Sequence, residues 1–337
     1  SRDVAEAAGV SRTTVSMVVN DVQGTKISEQ TRQHVLETSR LLGYVPNAAA
    51  KALASRRSQT VGLVMARQPY HIISDAFLNL LLDGLLQSVH RHGMRLLIEI
   101  IEPKHQEETY LRLARAKHID GLILAGVRQD DQGVYSLARE GLPAVLIGSM
   151  PEQIIDHVDV DNHQASLSAV EHLLNLGHTQ IACITNASLE FAAPAQRLNG
   201  YRHALELAGL AYTEDLVRFG DYNLDSGYLQ MNSLLDAGAQ FSAVFIASDV
   251  VAQGAMTALH ERGLKIPGDI SIVGFDDVPL ARFLAPPLTT VHVPASEMAE
   301  MACEMLIERI ADPEAPLQSR ILPTELVVRS TSGVYNK

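Results

Sequence analysis

Polar side chains with strong hydrogen-bonding groups recur at close spacing near the amino terminus. They lie within the stretch DVAEAAGVSRTTVSMVVN (3–20), at Ser11, Arg12, Thr13, Ser16 and Asn20. Guanidinium, hydroxyl and amide groups of this kind can pair with base edges or with phosphate oxygens. Valines fill the positions between them at helical spacing, so the polar groups would share the outer face of one helix. We therefore regard this face as a candidate DNA-reading surface.

Two helices and a tight turn are needed to present that face. Val4, Ala5 and Ala8 show helical spacing before Gly9. Glycine adopts the left-handed conformation that ends one helix and turns into the next. Ser11 follows as a good N-cap for a second helix. This is the helix-turn-helix pattern. An ordinary antiparallel helix pair with a solvated outer face is the alternative.

A third helix and a short linker complete the amino-terminal region. The segment 28–42 begins at a capping serine and ends at Gly43, and its apolar face is predicted from four aliphatic residues, Val35, Leu36, Leu41 and Leu42. The linker AAAKALASRR (48–57) predicts a helix of about nine residues, which is too short to be stable alone in water. We therefore expect it to fold conditionally.

Charge is distributed unevenly along the chain. The 337 residues carry a net charge of −12. Residues 1–60 nevertheless contain eight Lys and Arg against five Asp and Glu, whereas the remainder contains 19 against 34. A basic head on an acidic body is typical of a protein whose head binds nucleic acid.

Composition excludes several other classes of protein. Apolar residues make up 47% of the chain, yet none of them form an eighteen-residue run or a secretory leader. Cys183 and Cys303 lie in apolar stretches and are expected to be buried free thiols, which fits a reducing cytoplasm. We find no metal-binding, nucleophile, P-loop or dinucleotide motif. The sequence thus predicts neither an enzyme nor a cofactor or metal site.

Eight short apolar runs alternate with amphipathic helical segments after residue 60. This rhythm is typical of parallel sheets covered by helices on both faces. Eight units are too many for one compact open sheet, so we expect two doubly wound α/β lobes. The runs are VGLVMA (61–66), MRLLIEII (94–101), DGLILAG (120–126), PAVLIGS (143–149), QIACITN (180–186), VRFGD (217–221), SAVFIAS (242–248) and ISIVGFDD (270–277).

The domain bounds follow from these patterns. We predict a headpiece at 1–46 and a hinge helix or linker at 47–59. The first lobe would hold 60–161 and about 291–318, and the second lobe 162–290 and about 319–333. The late bounds rest on two final apolar runs, TTVHV (289–293) and RILPTELVVR (320–329), that flank one more helix. Ligands of such sheets sit beyond the carboxyl ends of the strands, which here would border a cleft between the lobes.

The chain resembles the lactose-repressor/galactose-repressor family of bacterial transcription regulators over nearly its whole length. The resemblance is carried in order by the head stretch and by GYVPNAAAKALA, QRLNGYRHAL, ASDVVAQGAM, GDISIVGFDD and PPLTTV. It implies an all-α helix-turn-helix headpiece, a hinge helix and a core like periplasmic sugar-binding proteins.

The family resemblance assigns candidate DNA contacts. The second helix would lie in the major groove, which implies roles for Ser11, Arg12, Thr13, Ser16 and Asn20. Met17 departs from the family, where arginine is common, so a phosphate contact is lost or a thymine methyl is packed instead. In the hinge, Leu53 matches the leucine that family members wedge into the minor groove, and Asn47, Ala50 and Lys51 would lie along the groove floor or the phosphates.

The resemblance also assigns candidate effector contacts in the cleft. The residues concerned are Tyr70, His71, Asp75, Phe77, Asp161, Arg197, Tyr222, Ser248 and Asp276. A carboxylate and a guanidinium can bracket vicinal sugar hydroxyls, and Tyr222 would offer an apolar face to the ring. Structural alternatives stay open: Asp276 or Asp161 would cap a helix, and Tyr70 to Phe77 would be surface loop. We expect Asp249 to cap the following helix.

The implied function is a ligand-responsive, sequence-specific DNA-binding regulator, a repressor controlled by a small sugar. Its partners would be near-palindromic double-stranded operator DNA, the effector and a second copy of the chain, with no membrane. No heptad helix follows the last strand, which favours a homodimer over a tetramer. Two alternatives remain: a periplasmic-type sugar-binding protein without a regulatory role, and a regulator with a purine or nucleoside effector.

Overall fold

The computed structural model describes residues 1–20, 24–44, 57–101, 105–116 and 118–335. Within these ranges, no helix combines the length and the apolar character needed to cross a membrane. The hinge contacts predicted at Asn47, Ala50, Lys51 and Leu53 lie outside the described residues, so they stay predictions.

Three helices form the head, and serine side chains start two of them. The helices are α1 (Arg2–Ala7), α2 (Arg12–Val19) and α3 (Glu29–Leu41). Ser11 Oγ accepts a hydrogen bond from the Thr14 amide at 3.0 Å, and Ser28 Oγ accepts one from the Thr31 amide at 3.2 Å. A small aliphatic core joins the three helices, comprising Val4, Ala5, Ala8, Val15, Val18 and Val35.

The apolar face predicted for α3 was partly wrong. Val35 is fully buried, but Leu41 is 87% exposed and Leu42 is 51% exposed. Leu41 lies six residues after Val35, which at about 100° per residue places it on the far side of the helix. Thr38 and Ser39 are buried instead. Hydrophobicity alone therefore misassigned the end of this helix.

The first lobe is a six-stranded parallel sheet in the order β11-β5-β4-β3-β1-β2. Its strands are β1 (Thr60–Ala66), β2 (Arg95–Ile101), β3 (Gly121–Ala125), β4 (Ala144–Ile147), β5 (Asp156–Val160) and β11 (Ser319–Leu322). Its helices are α4 (Pro69–Ser74), α5 (Ala76–Arg91), α6 (Gln106–Ala116), α7 (Gln132–Glu140) and α12 (Ala295–Ala311).

The second lobe repeats the architecture in the order β12-β10-β9-β8-β6-β7, with β12 antiparallel to β10 and the other pairs parallel. Its strands are β6 (Ile181–Thr185), β7 (Val217–Phe219), β8 (Ala243–Ile246), β9 (Ser271–Asp276), β10 (Thr289–His292) and β12 (Glu325–Val327). Its helices are α8 (Asn162–Asn175), α9 (Ala192–Leu207), α10 (Leu224–Asp236) and α11 (Asp249–Glu261). The predicted fold class, a helical head on two doubly wound lobes, is confirmed.

The last crossing between the lobes lies later than predicted. Residues 319–322 were expected in the second lobe, but β11 pairs with β5 in the first, with Ser319 opposite His157. Asp156 holds the segment before β11, because its Oδ1 accepts from the Gln318 amide at 2.7 Å and its carboxylate pairs with Arg309. Pro323 then separates β11 from β12, since proline cannot donate to a strand ladder. One apolar run thus supplies a strand to each sheet.

Both cysteines lie in the apolar core. Cys183 on β6 and Cys303 on α12 are fully buried and free. Burial raises the pKa of the Cys303 thiol. The expectation of buried free thiols is confirmed.

Candidate functional site

The outer face of α2 presents the hydrogen-bonding groups singled out in the sequence. Arg12, Thr13, Ser16 and Met17 are all exposed. Asn20 is partly buried at the C-cap, and its Nδ2 donates to Ser16 Oγ at 3.2 Å. Val15 and Val18 anchor the opposite face in the head core. The helix therefore holds these side chains outward on a fixed scaffold, as contact with a DNA groove would require.

Ser11 has a structural task at the start of α2. Its hydroxyl accepts from the Thr14 amide and lies 2.9 Å from Thr14 Oγ1. Thr14 is only half-exposed, in keeping with the structural role expected for it. Any DNA contact by Ser11 would have to coexist with this cap.

A cavity lies between the lobes at the carboxyl ends of their strands. In both sheets the strand order reverses beside the first strand, between β1 and β3 and between β6 and β8. Loops that leave such a switch point diverge and open a crevice. The cavity has a volume of about 100 Å³. The lining includes the residues directly after β1, β3 and β6 and the second residue after β8.

Six of the nine predicted effector residues line this cavity. They are Asp75, Phe77, Arg197, Tyr222, Ser248 and Asp276. The other three, Tyr70, His71 and Asp161, are absent from its wall. The structure thus brings together residues from both lobes that are far apart in the sequence.

Tyr70 and His71 lie at the rim and contact the opposite lobe. Both belong to α4, not to the surface loop considered as an alternative. The Tyr70 hydroxyl donates to Asp221 Oδ2 at 2.9 Å. His71 Nε2 lies 3.2 Å from Asp221 Oδ1, although its geometry is not that of a hydrogen bond. These contacts tie the lobes together at one edge of the cleft.

A second set of contacts joins the two lobes. Arg128 of the first lobe pairs with Glu190 of the second, and the Gln129 amide donates to the Glu190 carbonyl at 2.9 Å. Arg128 and Phe191 also form an antiparallel bridge. The two lobes therefore contact each other at a second place in this conformation.

Two acidic residues play different structural parts. Asp161 caps α8, since its Oδ1 accepts from the Gln164 amide at 2.8 Å, which matches the capping alternative. The expectation that Asp249 caps α11 was wrong. Asp249 is buried inside the first turn and accepts from the Val278 amide at 2.9 Å and from Thr290 Oγ1 at 2.5 Å. It therefore ties β10 and the segment after β9 to the helix.

Arg197 is the centre of the buried polar network in the cleft. Its Nε donates to Asn162 Oδ1 at 2.8 Å, and one terminal nitrogen donates to the Ala247 carbonyl at 2.8 Å and to Asp276 Oδ1 at 3.3 Å. The guanidinium also lies 3.7 Å from the ring centre of Phe275. Asp276 ends β9 as an ion-pair partner, not as a helix cap.

A second buried ion pair, not anticipated from the sequence, lies in the same cavity. Arg67 follows β1 and donates to Asp75 Oδ2 at 2.7 Å. Its guanidinium lies 3.6 Å from the ring centre of Tyr222, on the opposite lobe. One face of Tyr222 is therefore covered by arginine, so a sugar ring would have to pack on the other face.

Other polar residues of the cavity were also missed. Asp159 and Asn162 hydrogen-bond at 3.1 Å beside the junction of the lobes. Asn186 directly follows β6, and its buried Oδ1 has no hydrogen-bond partner. Arg67, Asp159 and Asn186 all lie at the carboxyl end of a strand. Their position at the end of a strand was the signal in the sequence that could have identified them, since ligands bind at the carboxyl ends of the strands.

The backbone around the cavity is strained at three non-glycine positions. Tyr222 has φ of +54°, Asp276 of +110° and Asp277 of +55°. Side chains disfavour this region by about 1–3 kcal/mol each, and such strain persists only where the surroundings impose it. The Tyr222 amide donates to the Asn186 carbonyl at 2.8 Å, which holds the tyrosine in place.

Burial changes the ionisation of the cavity carboxyls. Burial raises the pKa of Asp276 from 3.8 to about 7, although the Arg197 charge lowers it. Burial likewise raises the pKa of Asp159, against hydrogen bonds that lower it. The Asp276 carboxyl therefore changes charge near neutrality.

We expect this shift to make stability depend on pH. The folded state binds the Asp276 proton more tightly than the unfolded chain does. The contribution of this proton to the free energy of unfolding is therefore complete below pH 3.8 and is lost as the pH rises through about 7. Three pKa units correspond to about 4 kcal/mol at most. Thermal unfolding between pH 4.5 and 8 should show a steeper decline for wild type than for Asp276→Asn. Parallel curves would contradict the shift.

Comparison with known proteins gives two family matches. Residues 2–47 match the model described as bacterial regulatory proteins, lacI family, and residues 170–332 match the periplasmic binding protein-like domain. The chain is 34% identical over 331 residues to the HTH-type transcriptional regulator CelR of Thermobifida fusca, covering 97% of this chain and 96% of CelR.

Solved structures agree over the full length. A CelR–cellobiose complex is 33% identical, has a TM-score of 0.76 and covers 98% of both chains. The lac repressor dimer bound to operator and the anti-inducer ONPF is 28% identical, has a TM-score of 0.87 and also covers 98% of both chains. The similarity thus extends through head and core together.

Proposed function

Because the chain belongs to the lacI family of bacterial regulatory proteins, we propose that it is a transcriptional repressor whose affinity for operator DNA is controlled by a small sugar. The observation that carries the proposal is the union, in one chain, of an exposed polar helix face and an enclosed polar cleft. The operator is bacterial DNA, so the proposal places the protein in the cytoplasm. It includes no catalytic step and no cofactor.

The head would bind operator DNA through α2. Arg12, Thr13 and Ser16 would reach base edges or phosphates, and Met17 would meet an apolar group such as a thymine methyl. Hydrogen bonds of α2 to bases supply specificity, whereas basic groups near phosphates supply most of the affinity. The hinge residues 47–59 would add contacts in the minor groove.

The cleft would bind the sugar between its two buried ion pairs. Asp276 and Arg197 present a charge-assisted acceptor and donor in the cavity wall. Phe77 and Phe191 also line the cavity and offer apolar surface. The similar CelR protein was solved with cellobiose, which supports a sugar as the first class to test.

The proposed control works through the angle between the lobes. Contacts from Tyr70 and Arg128 join the two lobes across the cleft, and we propose that an occupant changes how the lobes meet there. In a dimer, such a change moves the two first lobes, and with them the hinges and heads. Linkage requires that a sugar which weakens operator binding is itself bound more weakly by the operator complex.

A homodimer is supported by an uncovered edge of the first lobe. The edge strand β2 exposes Leu97, Ile98 and Ile100, each by 38–44%. Exposed apolar edge strands invite pairing or aggregation unless another surface covers them. We propose that a second copy covers this edge, in line with the dimeric lac repressor structure.

A gel-shift titration tests the proposal. An operator is first selected from random-sequence DNA, and its affinity is then measured at 50 and 200 mM salt. Phosphate contacts predict that the affinity for the operator falls at least about 100-fold over this range of salt concentration. A sugar-binding protein without a regulatory role would show no specific shift at either salt concentration.

A thermal-shift screen then identifies the effector class. Cellobiose, other mono- and disaccharides, purines and nucleosides are tested in parallel, and compounds that stabilise the core are added to the gel shift. We expect a sugar to stabilise the protein and to change operator affinity. Stabilisation by purines or nucleosides alone would replace the sugar with the other effector class.

A further inference from the structure

The charged groups that line the cleft disfavour the binding of an anion. Among the described residues of the cavity wall, two are cationic, Arg67 and Arg197, and three are carboxylic acids, Asp75, Asp159 and Asp276. Each guanidinium already contacts one of these carboxyls, at 2.7 Å and 3.3 Å. An incoming phosphate or carboxylate would therefore meet no free cation and would face the third acid.

Arg67 would be an anion receptor if Asp75 did not occupy it. Its side chain is about nine-tenths buried and its guanidinium stacks on Tyr222, so its position is defined. Asp75 accepts from Arg67 through Oδ2 and from the Phe77 amide through Oδ1 at 3.0 Å. Asp75 thus performs two tasks, the capping of α5 and the neutralisation of Arg67.

One group left open in the cavity is an acceptor. Asn186 Oδ1 is buried without a donor, and a buried acceptor of this kind costs about 1–3 kcal/mol until it is satisfied. Hydroxyl groups can donate to this oxygen and to the carboxylates around it. A ligand with many hydroxyls and no charge fits this set.

We propose that Asp75 makes the cleft selective for uncharged, hydroxyl-rich effectors and against phosphorylated ones, because it neutralises the guanidinium of Arg67. This proposal rests on the proposed function only in placing the effector in the cleft. Asn186 would contact such an effector from the second lobe.

The variant Asp75→Asn isolates the neutralising task. Asparagine caps helices as well as aspartate does, so α5 keeps its start while Arg67 loses its counter-charge. Asp161→Asn is the matched control, because Asp161 caps α8 through the same kind of bond and pairs with no arginine in the described part of the chain. Asp75→Asn with Arg67→Gln removes the cation as well.

Inorganic phosphate is the probe, compared with chloride at equal ionic strength and at pH 8.5, above the pKa of about 7 of Asp276. Thermal unfolding should show no phosphate-specific stabilisation of the core in wild type, Asp161→Asn or the double variant. Asp75→Asn should gain phosphate affinity by at least about tenfold. All variants carry the same head, so any binding of phosphate to the head is equal in each and cancels in this comparison. A wild-type protein that binds phosphate equally well, or an Asp75→Asn protein that gains nothing, overturns the proposal.

A measurement on the wild-type chain covers the case in which Asp75→Asn does not fold. Each sugar that stabilises the core is compared with its own phosphate ester by calorimetry. The ester should bind at least about tenfold more weakly, and equal binding overturns the proposal. Failure to bind operator DNA would instead refute the proposed function and leave both anion tests unaffected.

Discussion

Replacing Arg197 by methionine is expected to abolish the response to the effector. The substitution removes donors to Asn162, to the Ala247 carbonyl and to Asp276. It also leaves the Asp276 carboxyl buried without its cation, which costs about 3–5 kcal/mol of stability. Thermal unfolding measures the stability, and calorimetry with the identified sugar measures the affinity, which should fall at least about 100-fold.

A double variant separates lost binding from lost folding. Arg197→Met with Asp276→Leu removes both charges, and replacing a buried pair by apolar groups is often neutral or stabilising. The double variant should recover most of the stability and should bind operator DNA. Its affinity for the sugar should stay as low as that of Arg197→Met. Full sugar affinity in either variant would show that Arg197 does not contact the effector.

Replacing Val15 by aspartate is expected to abolish operator binding while the core stays functional. Val15 is fully buried among the few aliphatic residues that join the head helices. An unpaired carboxylate there costs several kcal/mol, and a head this small has little stability to lose. Gel shift should show at least about a 100-fold loss of affinity, while the sugar should stabilise the core as in wild type.

Met17→Ala serves as the control in the same helix. Met17 is 36% exposed and lies outside the head core. Its truncation should leave the head folded and change affinity by less than about tenfold, with the change depending on the operator base that it faces. Normal operator binding by Val15→Asp would show that the head does not bind DNA through the packed α2.

Most of the fold was predicted from local sequence patterns. Helix caps and glycine turns depend on neighbours a few residues apart, so Ser11 and Ser28 marked the helix starts correctly. The alternation of strands and helices likewise predicted two doubly wound lobes. The exceptions have local causes too: Pro323 splits one apolar run, and Leu41 lies on the outer side of α3.

Most of the cleft's polar contacts depended on the fold. Arg67 and Asp75 are eight residues apart, but Arg197 and Asp276 are 79 apart and Tyr70 and Asp221 are 151 apart. Spacing along the chain cannot specify such partners, because two folded lobes must first bring the ends of different strands together.

The sequence by itself determined the helix-turn-helix head, the class of the core and the edge at which ligands bind. Only the tertiary structure decided which buried charges meet there: Arg67 covers Tyr222, Asp75 neutralises Arg67, and Asp249 ties β10 and the segment after β9 to α11. The physical reason is burial. A charged group that leaves water must find its partner in the low-dielectric interior, and that partner is set by three-dimensional proximity.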